Sequence, residues 1–234
     1  MNQSNHVIRY VSDEHRKMVS GEWYLPFGPE LRELRHNASM LAHEFNQLGP
    51  TDPARSRDIL GQLFGNFPES SFLIPPASID YGIHTFVGEG AYINFNVTIL
   101  DSAEVHIGDR ALIGPNCQLI TVGHPVDDVQ RRRDAWEQAA PIHIGEDAWL
   151  GAGVTVLPGV TIGARSVIGA GSVVTRSIPD DAVAVGNPAR VIRALNYSPC
   201  LLILTVLALA CLLLRACQSC RTHSAIKPPA EQLP

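Results

Sequence analysis

One histidine of this chain stands in a segment whose residue types suit proton transfer. His124 lies in the run Thr-Val-Gly-His-Pro at residues 121–125. An imidazole has an unperturbed pKa of about 6.5, so at neutral pH it can accept a proton from a reacting group. A histidine before a proline is by itself more often an ordinary surface residue, and the argument for chemistry therefore depends on what surrounds His124.

The elements that must position His124 follow a period of six. Branched aliphatic residues recur at this spacing in two runs: Val87, Ile93, Ile99, Ile107, Ile113 and Leu119, and then Ile144, Leu150, Val156, Ile162, Ile168 and Val174. Two extra residues separate Ile99 from Ile107. Neither a helix nor an alternating strand has a period of six, whereas a chain that turns a corner every six residues does.

Such a chain is predicted to form a prism of stacked triangular coils. Three hexads make one coil of about eighteen residues, and the two runs amount to about four coils, more than the roughly three repeats that such stacks need. The aliphatic side chains point to the axis and form the core. Residues 121–142 leave the six-residue frame, so we expect a loop there that projects from the coils beside His124.

Composition and charge limit the classes of function. The chain has 234 residues, of which 45% are hydrophobic, and a formal net charge of −5, which gives no electrostatic reason to expect a nucleic-acid partner. The basic run at residues 131–133 falls in the loop and favours a solvated segment over a phosphate site. The polar N-terminus is not a secretory signal, and only Cys117 of the five cysteines lies among the repeats. These features favour a reducing, cytoplasmic compartment.

Three regions follow one another along the chain. Residues 13–70 favour an N-terminal helical region, and residues 71–195 contain the coils. Residues 196–234 form a tail in which residues 200–214 are uncharged and almost wholly apolar. As a helix this segment spans about 22 Å, short of the roughly 30 Å hydrocarbon layer of a membrane. It predicts a C-terminal membrane anchor, an apolar helix buried on the domain or in an oligomer, or a tail without a function.

Several motifs identify a resemblance to a known family. The most specific are Asn-Phe-Asn at 94–96, Gly-His-Pro at 123–125 and Gly-Asn-Pro-Ala-Arg at 186–190. Together with Lys-Met-Val-Ser-Gly-Glu-Trp-Tyr at 17–24, they resemble the maltose and galactoside O-acetyltransferases, which are hexapeptide-repeat acyltransferases. The resemblance covers about residues 13–194. It implies a mainly β fold, a left-handed parallel β-helix with an N-terminal helical segment, to which the tail adds an apolar helix.

The resemblance implies transfer of acetyl from acetyl-CoA to a hydroxyl of a sugar or a similar small molecule. His124 matches the family's catalytic histidine, which acts as general base on the hydroxyl. Glu137 matches a carboxylate that orients this histidine. Asn94 matches a residue that contacts the acceptor across the site, and Asp80 and Tyr92 match further acceptor-binding positions.

The resemblance also implies a coenzyme site. The matching residues are Trp149, Ala152, Ala170, Thr175, Arg176, Arg190 and Arg193. Arginines can pair with phosphates, and a backbone N–H near Gly151 and Ala152 is the expected donor to the oxyanion. In this family each site lies between neighbouring prisms of a homotrimer, so His124 and Asn94 are expected from different subunits. No metal is expected.

Two departures from the family pattern concern the acceptor. Tyr24 is followed by Leu25, where the family often has an aspartate. Asp101 is followed by Ser102, where the family can have paired aspartates. The acceptor is therefore left open between a sugar, a glycolipid and a hydroxylated secondary metabolite.

Two other functions are compatible with the same fold. One is a non-catalytic scaffold that binds partners through the prism. The other is a metal-dependent hydratase, because His106 lies one coil of eighteen residues before His124, and His143 has an equivalent position in the repeat. Histidines spaced in this way are expected to stack on one face, although zinc needs at least three convergent ligands.

Overall fold

The computed structural model describes residues 11–48 and 51–196. The apolar segment 200–214 lies outside these residues, as does all of the chain from residue 197 on. Within the described ranges, no helix combines the length and the apolar character needed to cross a membrane. The membrane anchor and the apolar C-terminal helix therefore stay predictions from the sequence.

The helices expected at the N-terminus are present. They are α1 (Asp13–Val19), α2 (Pro29–Leu48) and α3 (Pro53–Leu63). The carboxylate of Asp52 caps α3 by accepting the N–H of Arg55 at 3.0 Å. Phe45 of α2 and Leu63 of α3 are buried in the same apolar core as Ile79 of the first coil. The helices thus cover the start of the coils.

The rest of the described chain is built mainly of short strands. Before the loop these are β1 (Phe72–Leu73), β2 (Ala77–Ile79), β3 (Thr85–Val87), β4 (Tyr92–Ile93), β5 (Val97–Leu100), β6 (Val105–Ile107), β7 (Leu112–Ile113) and β8 (Gln118–Ile120). The loop contains β9 (Val122–Gly123), α4 (Val129–Arg133) and β10 (Gln138–Ala139). After the loop come β11 (Ile142–Ile144), β12 (Trp149–Leu150), β13 (Thr155–Val156), β14 (Thr161–Ile162), β15 (Val167–Ile168), β16 (Val173–Val174), β17 (Ala182–Val185) and β18 (Arg190–Ala194).

The strands outside the loop form three sheets, which are the three faces of a prism, and β9 and β10 of the loop pair separately. The first face has the order β1-β4-β7-β12-β15-β17-β18, the second β3-β6-β11-β14, and the third β2-β5-β8-β13-β16. Neighbouring strands are parallel, apart from the antiparallel pair β17 and β18 that closes the first face. The predicted parallel β-helix is therefore confirmed, while its left-handed sense stays an implication of the family resemblance.

The predicted core positions are confirmed. Each of the aliphatic residues in the six-residue period, from Val87 to Val174, is at most 2% exposed. Burying a side chain of this size contributes roughly 1.5–3 kcal/mol relative to leaving it exposed. The small residues four places later, such as Ala91, Ala111 and Ala148, are buried as well. Both classes of residue therefore fill the inside of the coils.

The coils differ in length. Val156 pairs with Val174, eighteen residues further on, as predicted. Ile79 pairs with Ile99, twenty residues further on, so the first coils are longer than the later ones. The additional residues lie where the chain passes from the third face to the second.

The loop leaves the prism at this same corner, which we call the loop corner. The loop corner consists of residues 80–84, 101–104 and 121–141, which connect the third face to the second in successive coils. Asp101 is buried there and accepts hydrogen bonds from the Tyr81 N–H at 2.8 Å and from the Thr85 hydroxyl at 2.9 Å. Satisfied buried polar groups of this kind fix the backbone, so the loop that carries His124 starts from a rigid base.

Candidate active site

The loop that carries His124 is a short hairpin with a helical tip. Its strands β9 and β10 pair antiparallel, with Gly123 opposite Gln138. At the tip, Asp128 caps α4 by accepting the N–H of Arg131 at 2.9 Å. His124 follows β9 directly, so the hairpin determines where its imidazole leaves the coils.

One contact determines which nitrogen of His124 carries the proton. Nδ1 lies 2.9 Å from the carbonyl oxygen of Trp136, on the other side of the hairpin. A carbonyl oxygen only accepts hydrogen bonds, so in the neutral ring Nδ1 is protonated and Nε2 has a free lone pair. The side chain is 52% exposed, and Nε2 is therefore accessible to a reacting group, as a general base requires.

Glu137 lies on the Nε2 side of His124 and not on the Nδ1 side. Its Oε1 is 3.9 Å from Nε2, and its Oε2 accepts a hydrogen bond from the Tyr24 hydroxyl at 2.6 Å. Burial, followed by the Glu137 carboxylate, holds the pKa of Tyr24 far above its ordinary value, so the phenol stays a donor. The Trp136 carbonyl is thus the group that orients the imidazole, whereas Glu137 places negative charge beside Nε2.

His124 and Glu137 line a cleft of about 510 Å³. The other lining residues are Pro26, Phe27, Arg35, Asp80, Leu100, Ser102, Val122 and Gly123. Burial and the nearby Asp101 raise the pKa of Asp80 to about 6, against the opposing charge of Arg35. Within residues 11–48 and 51–196 the Asp80 carboxylate has no hydrogen-bond partner. The structure thus brings the predicted Asp80, His124 and Glu137 together around a polar cleft with an unused acceptor.

A second cleft, of about 610 Å³, also includes His124 in its lining. The other residues in its wall are Val19, Ser20, Gly21, Trp23, Gly123, Gln138, Ala139, Ala140, Pro141 and Pro158. This wall contains no charged side chain apart from His124 when that ring is protonated. His124 therefore lies between a cleft with charged side chains in its wall and a cleft without them.

Tyr92, Asn94 and Trp149 line neither of these clefts. Tyr92 and Trp149 flank Leu112 on the first face of the prism. Asn94 follows β4 at the adjoining corner. Within one chain, these predicted residues are therefore not brought to His124.

The residues matched to the coenzyme site are exposed along the last coils and the closing strand pair. Ala152 and Ala170 occupy the same corner in successive coils, where the Gly171 N–H donates to the Ala152 carbonyl at 2.8 Å. Trp149 precedes this corner. Thr175 and Arg176 follow β16, and Arg190 and Arg193 lie in β18. None of these three arginines forms an ion pair with a carboxylate in the part of the chain that the structure describes. Their guanidinium groups are available to phosphate oxygens.

Of the two backbone amides considered for an oxyanion, one is available. The Gly151 N–H donates to the Ile168 carbonyl at 2.8 Å as part of the sheet. Ala152 is exposed, and its N–H donates no hydrogen bond to another described residue. Of these two amides, the one that can donate to an oxyanion is therefore the Ala152 N–H.

The histidines of the repeat stack, but not in the expected pair. His106 stacks on His143, with ring centroids 4.8 Å apart and planes at 10°, and its Nε2 lies 2.7 Å from Glu104 Oε2. His124 is absent from this column because the hairpin takes it out of the repeat, so the expected stacking of His106 on His124 is wrong. Among the described residues, no group of three or more His, Cys, Asp or Glu could hold a metal ion.

The residues that fasten the loop had no role in the sequence-based prediction. Arg131, expected in a solvated run, lies between the rings of Trp23 and Trp136, with its guanidinium carbon 4.5 and 5.0 Å from their centroids. Arg132 donates to the carbonyl of Pro125 at 2.7 Å. The basic run is therefore partly structural, and the tryptophans were the signal in the sequence that could have shown it.

Tyr24 and Arg35 were also absent from the predicted site. Arg35 of α2 donates to the Tyr81 hydroxyl at 2.5 Å and to the Pro26 carbonyl at 2.8 Å. A single tyrosine or arginine in a helical region gives no indication that it approaches a loop far along the chain.

Two family motifs match this chain. The maltose acetyltransferase hexapeptide capping motif matches residues 17–68. The bacterial transferase hexapeptide motif, with six repeats, matches residues 141–176. The first match covers α2, α3 and the end of α1, and the second covers the coils that follow the loop.

The hexapeptide prism and the histidine hairpin define the class of hexapeptide-repeat acyltransferases. The galactoside O-acetyltransferase of Escherichia coli (strain K12) is 40% identical over 180 residues, which cover 77% of this chain and 88% of that protein. The crystal structure of a maltose O-acetyltransferase from Clostridium difficile 630 has a TM-score of 0.77 at 38% identity and covers 80% of this chain and 100% of that one. A Vibrio cholerae hexapeptide-repeat acetyltransferase, complexed with acetyl coenzyme A, has a TM-score of 0.74 at 38% identity over 79% of this chain and 100% of that one. This chain belongs to the family of maltose and galactoside O-acetyltransferases.

Proposed function

We propose that this protein transfers acetyl from acetyl-CoA to a hydroxyl of a sugar or a similar small molecule, with His124 as general base. The observation that carries the proposal is the contact of His124 Nδ1 with the Trp136 carbonyl. It leaves Nε2 unprotonated beside a cleft that a polar acceptor can enter. Family membership supports acetyl transfer, and the acetyl coenzyme A complex of a relative supports the donor.

In the proposed reaction, each proton and charge has a partner, and the Ala152 N–H, which does not line the clefts at His124 of its own chain, would come from a neighbouring subunit. His124 Nε2 takes the proton of the acceptor hydroxyl while its oxygen attacks the thioester carbonyl carbon. The resulting oxyanion accepts a hydrogen bond from the Ala152 N–H. The intermediate collapses by breaking the C–S bond, the thiolate of coenzyme A takes the proton from His124, and an acetyl ester is released. Glu137, 3.9 Å from Nε2, stabilises the imidazolium between these steps.

The acceptor would occupy the cleft beside His124, and the coenzyme would lie along the last coils and the closing strand pair. In the cleft, the unpartnered carboxylate of Asp80 would accept a hydrogen bond from a hydroxyl of the acceptor. For the coenzyme, the exposed arginines Arg176, Arg190 and Arg193 would pair with phosphates. Trp149, Ala152, Ala170 and Thr175 would contact its remainder.

We also propose a homotrimer with each site between subunits. The first face of the prism exposes an apolar column of side chains that are each 38–54% exposed: Phe72, Tyr92, Leu112 and Trp149. Contiguous apolar patches on a soluble surface mark interaction sites. A neighbouring prism packed on this face would carry Tyr92 and Asn94 toward the His124 of another subunit, which a single chain does not do.

Residues 13–70 would then act as a helical cover, residues 71–195 as the catalytic prism, and residues 196–234 as a tail. A cytoplasmic location, with or without anchoring through residues 200–214, also stays a prediction from composition and sequence.

The proposal is tested by thiol release from acetyl-CoA with the full chain. The acceptor panel contains sugars, hydroxylated metabolites and a glycolipid in micelles. The expected result is acceptor-dependent release of coenzyme A together with an alkali-labile acetyl ester of the acceptor. Absence of release with every acceptor, from folded protein that binds coenzyme A, would contradict the proposal and favour a non-catalytic scaffold.

A further inference from the structure

Tyr24 makes contact with both the main chain and the side chain of Glu137. The N–H of each residue donates to the carbonyl of the other at 3.0 Å, and the Tyr24 hydroxyl donates to Glu137 Oε2 at 2.6 Å. Tyr24 lies between α1 and α2 and is fully buried. A residue outside the hairpin therefore fixes the carboxylate that lies next to His124.

The hydrogen bond from Tyr24 restricts the Glu137 carboxylate in two ways. Donation to Oε2 gives the carboxylate a charge-assisted hydrogen bond from a buried donor. It also stops the group from rotating and keeps Oε1 on the His124 side, 3.9 Å from Nε2. That separation is too long for a hydrogen bond but short enough for attraction between a carboxylate and a protonated imidazole.

We propose that Tyr24 is a positioning residue for the general base and acts on His124 through Glu137. Its hydroxyl holds negative charge beside Nε2, so that the imidazolium formed during proton transfer has a counter-charge in place. The proposal rests on the proposed function, because His124 must be the base. Tyr24 lines neither of the clefts at His124, and its effect should therefore disappear when Glu137 carries no charge.

A double-mutant cycle with a pH profile tests this dependence. The proteins are wild type, Tyr24→Phe, Glu137→Gln and the double variant, and the first readout is the pH at half-maximal kcat/KM on the acidic side. The Asp80 carboxyl of the same cleft has a pKa of about 6 and titrates in this range as well, so the midpoint of the His124 ring signal by NMR assigns the shift to His124. Glu137→Gln removes the counter-charge, and Tyr24→Phe releases it from its fixed position. Both changes disfavour the imidazolium, so the pH midpoint should fall by about 0.5–1 unit in Glu137→Gln and by less in Tyr24→Phe, with a roughly tenfold lower kcat in Glu137→Gln. In the double variant the midpoint should equal that of Glu137→Gln, because coupled residues are not additive.

Tyr81→Phe is the matched control for loss of a buried phenol. The Tyr81 hydroxyl accepts from Arg35 and has no bond to Glu137, so its removal should leave the pH midpoint at the wild-type value. Titration of the His124 ring signal by NMR gives a second readout that does not require turnover, and it should move in the same direction in Tyr24→Phe. Circular dichroism is the check that each variant is folded.

Two results would overturn the role of Tyr24. One is a wild-type midpoint in folded Tyr24→Phe, by both profile and NMR. The other is a shift of the same size whether or not Glu137 is charged. If Tyr24→Phe does not fold, Glu137→Gln is the remaining test. A wild-type midpoint in Glu137→Gln would show that the Glu137 charge does not affect His124, and Tyr24 would then have no charge to position. Turnover that persists in His124→Ala contradicts the proposed function itself, whereas a failure of Tyr24 alone leaves that function in place.

Discussion

His15 and His84 face each other through their Nε2 atoms, 2.9 Å apart, where α1 meets the first coil. Both side chains are fully buried. His84 Nδ1 lies 2.6 Å from the carbonyl oxygen of Asp101, and His15 Nδ1 accepts the N–H of Val11 at 3.1 Å. The proton of His84 is therefore on Nδ1 and that of His15 on Nε2, and these contacts require both rings to be neutral.

This neutral pair should make stability depend on pH. Burial, followed by the nearby His84, lowers the pKa of His15 to about 4, and burial also lowers the pKa of His84 against the charges of Asp101 and Glu104. Both rings titrate near 6.5 when unfolded, so below that pH the unfolded chain binds more protons and the folded state loses stability. We expect the free energy of unfolding, from urea titrations at one protein concentration, to fall by roughly 1–3 kcal/mol between pH 6.5 and 4.

Asp80 provides the control because its contribution has the opposite sign. Its folded pKa of about 6 exceeds the ordinary value of 3.8, so it costs stability as the pH rises through this interval and partly masks the histidines. Asp80→Asn should therefore show a larger loss on acidification than wild type, and His84→Gln a smaller one. A free energy of unfolding that does not change between pH 6.5 and 4 in Asp80→Asn would contradict the neutral pair.

The fold could be predicted because each coil repeats one burial requirement. The aliphatic side chains from Val87 to Val174 all point into the same core, and a six-residue period records this locally. The two extra residues between Ile99 and Ile107 also gave the position of the enlarged corner. The handedness of the coils and the course of residues 197–234 had no comparable local signal.

The site could be predicted only in part. The resemblance placed His124, Glu137 and Asp80 near each other, and they do line one cleft. It did not indicate the contact of Tyr24 with Glu137, which joins residues 113 positions apart. Contacts of this kind depend on how a non-periodic loop folds back onto the N-terminal turn, and no spacing rule describes that.

Arg132 and Arg133 of the loop should differ in their effect on catalysis. Arg132 holds the carbonyl of Pro125, the residue after His124, so Arg132→Ala should misplace the imidazole and lower kcat about tenfold or more. Arg133→Ala removes the same charge one residue away, from an exposed side chain without a hydrogen bond or ion pair to another described residue. It should keep the wild-type kcat in the thiol-release assay. Equal losses in both variants would indicate a charge effect instead of positioning.

The apolar column of the first face should determine the oligomeric state. Leu112→Glu places a charge between Tyr92 and Trp149, and we expect light scattering after gel filtration to show dissociation of the trimer and loss of more than about 90% of activity. Gln118→Glu introduces the same charge on the third face and should remain trimeric and active. A trimer that survives Leu112→Glu would mean that another face forms the interface.

The arginines of the closing strand should affect donor binding selectively. Arg190→Gln removes a guanidinium that is matched to a coenzyme phosphate, and a charge-assisted hydrogen bond of this kind is worth enough to raise the KM for acetyl-CoA roughly tenfold. The KM for the acceptor should stay unchanged. Arg32→Gln removes an exposed charge on α2 and serves as the control. An unchanged KM for acetyl-CoA in Arg190→Gln would place the phosphates elsewhere.

The most direct test of the central claim compares wild type with His124→Ala in acceptor-dependent thiol release, with coenzyme A binding measured on the same preparations. Without Nε2 as proton acceptor, kcat should fall at least about a hundredfold, while coenzyme A binding should stay within about twofold because the proposed coenzyme contacts lie on the coils and not on His124. Turnover at the wild-type rate in His124→Ala would contradict the assignment of His124 as the base.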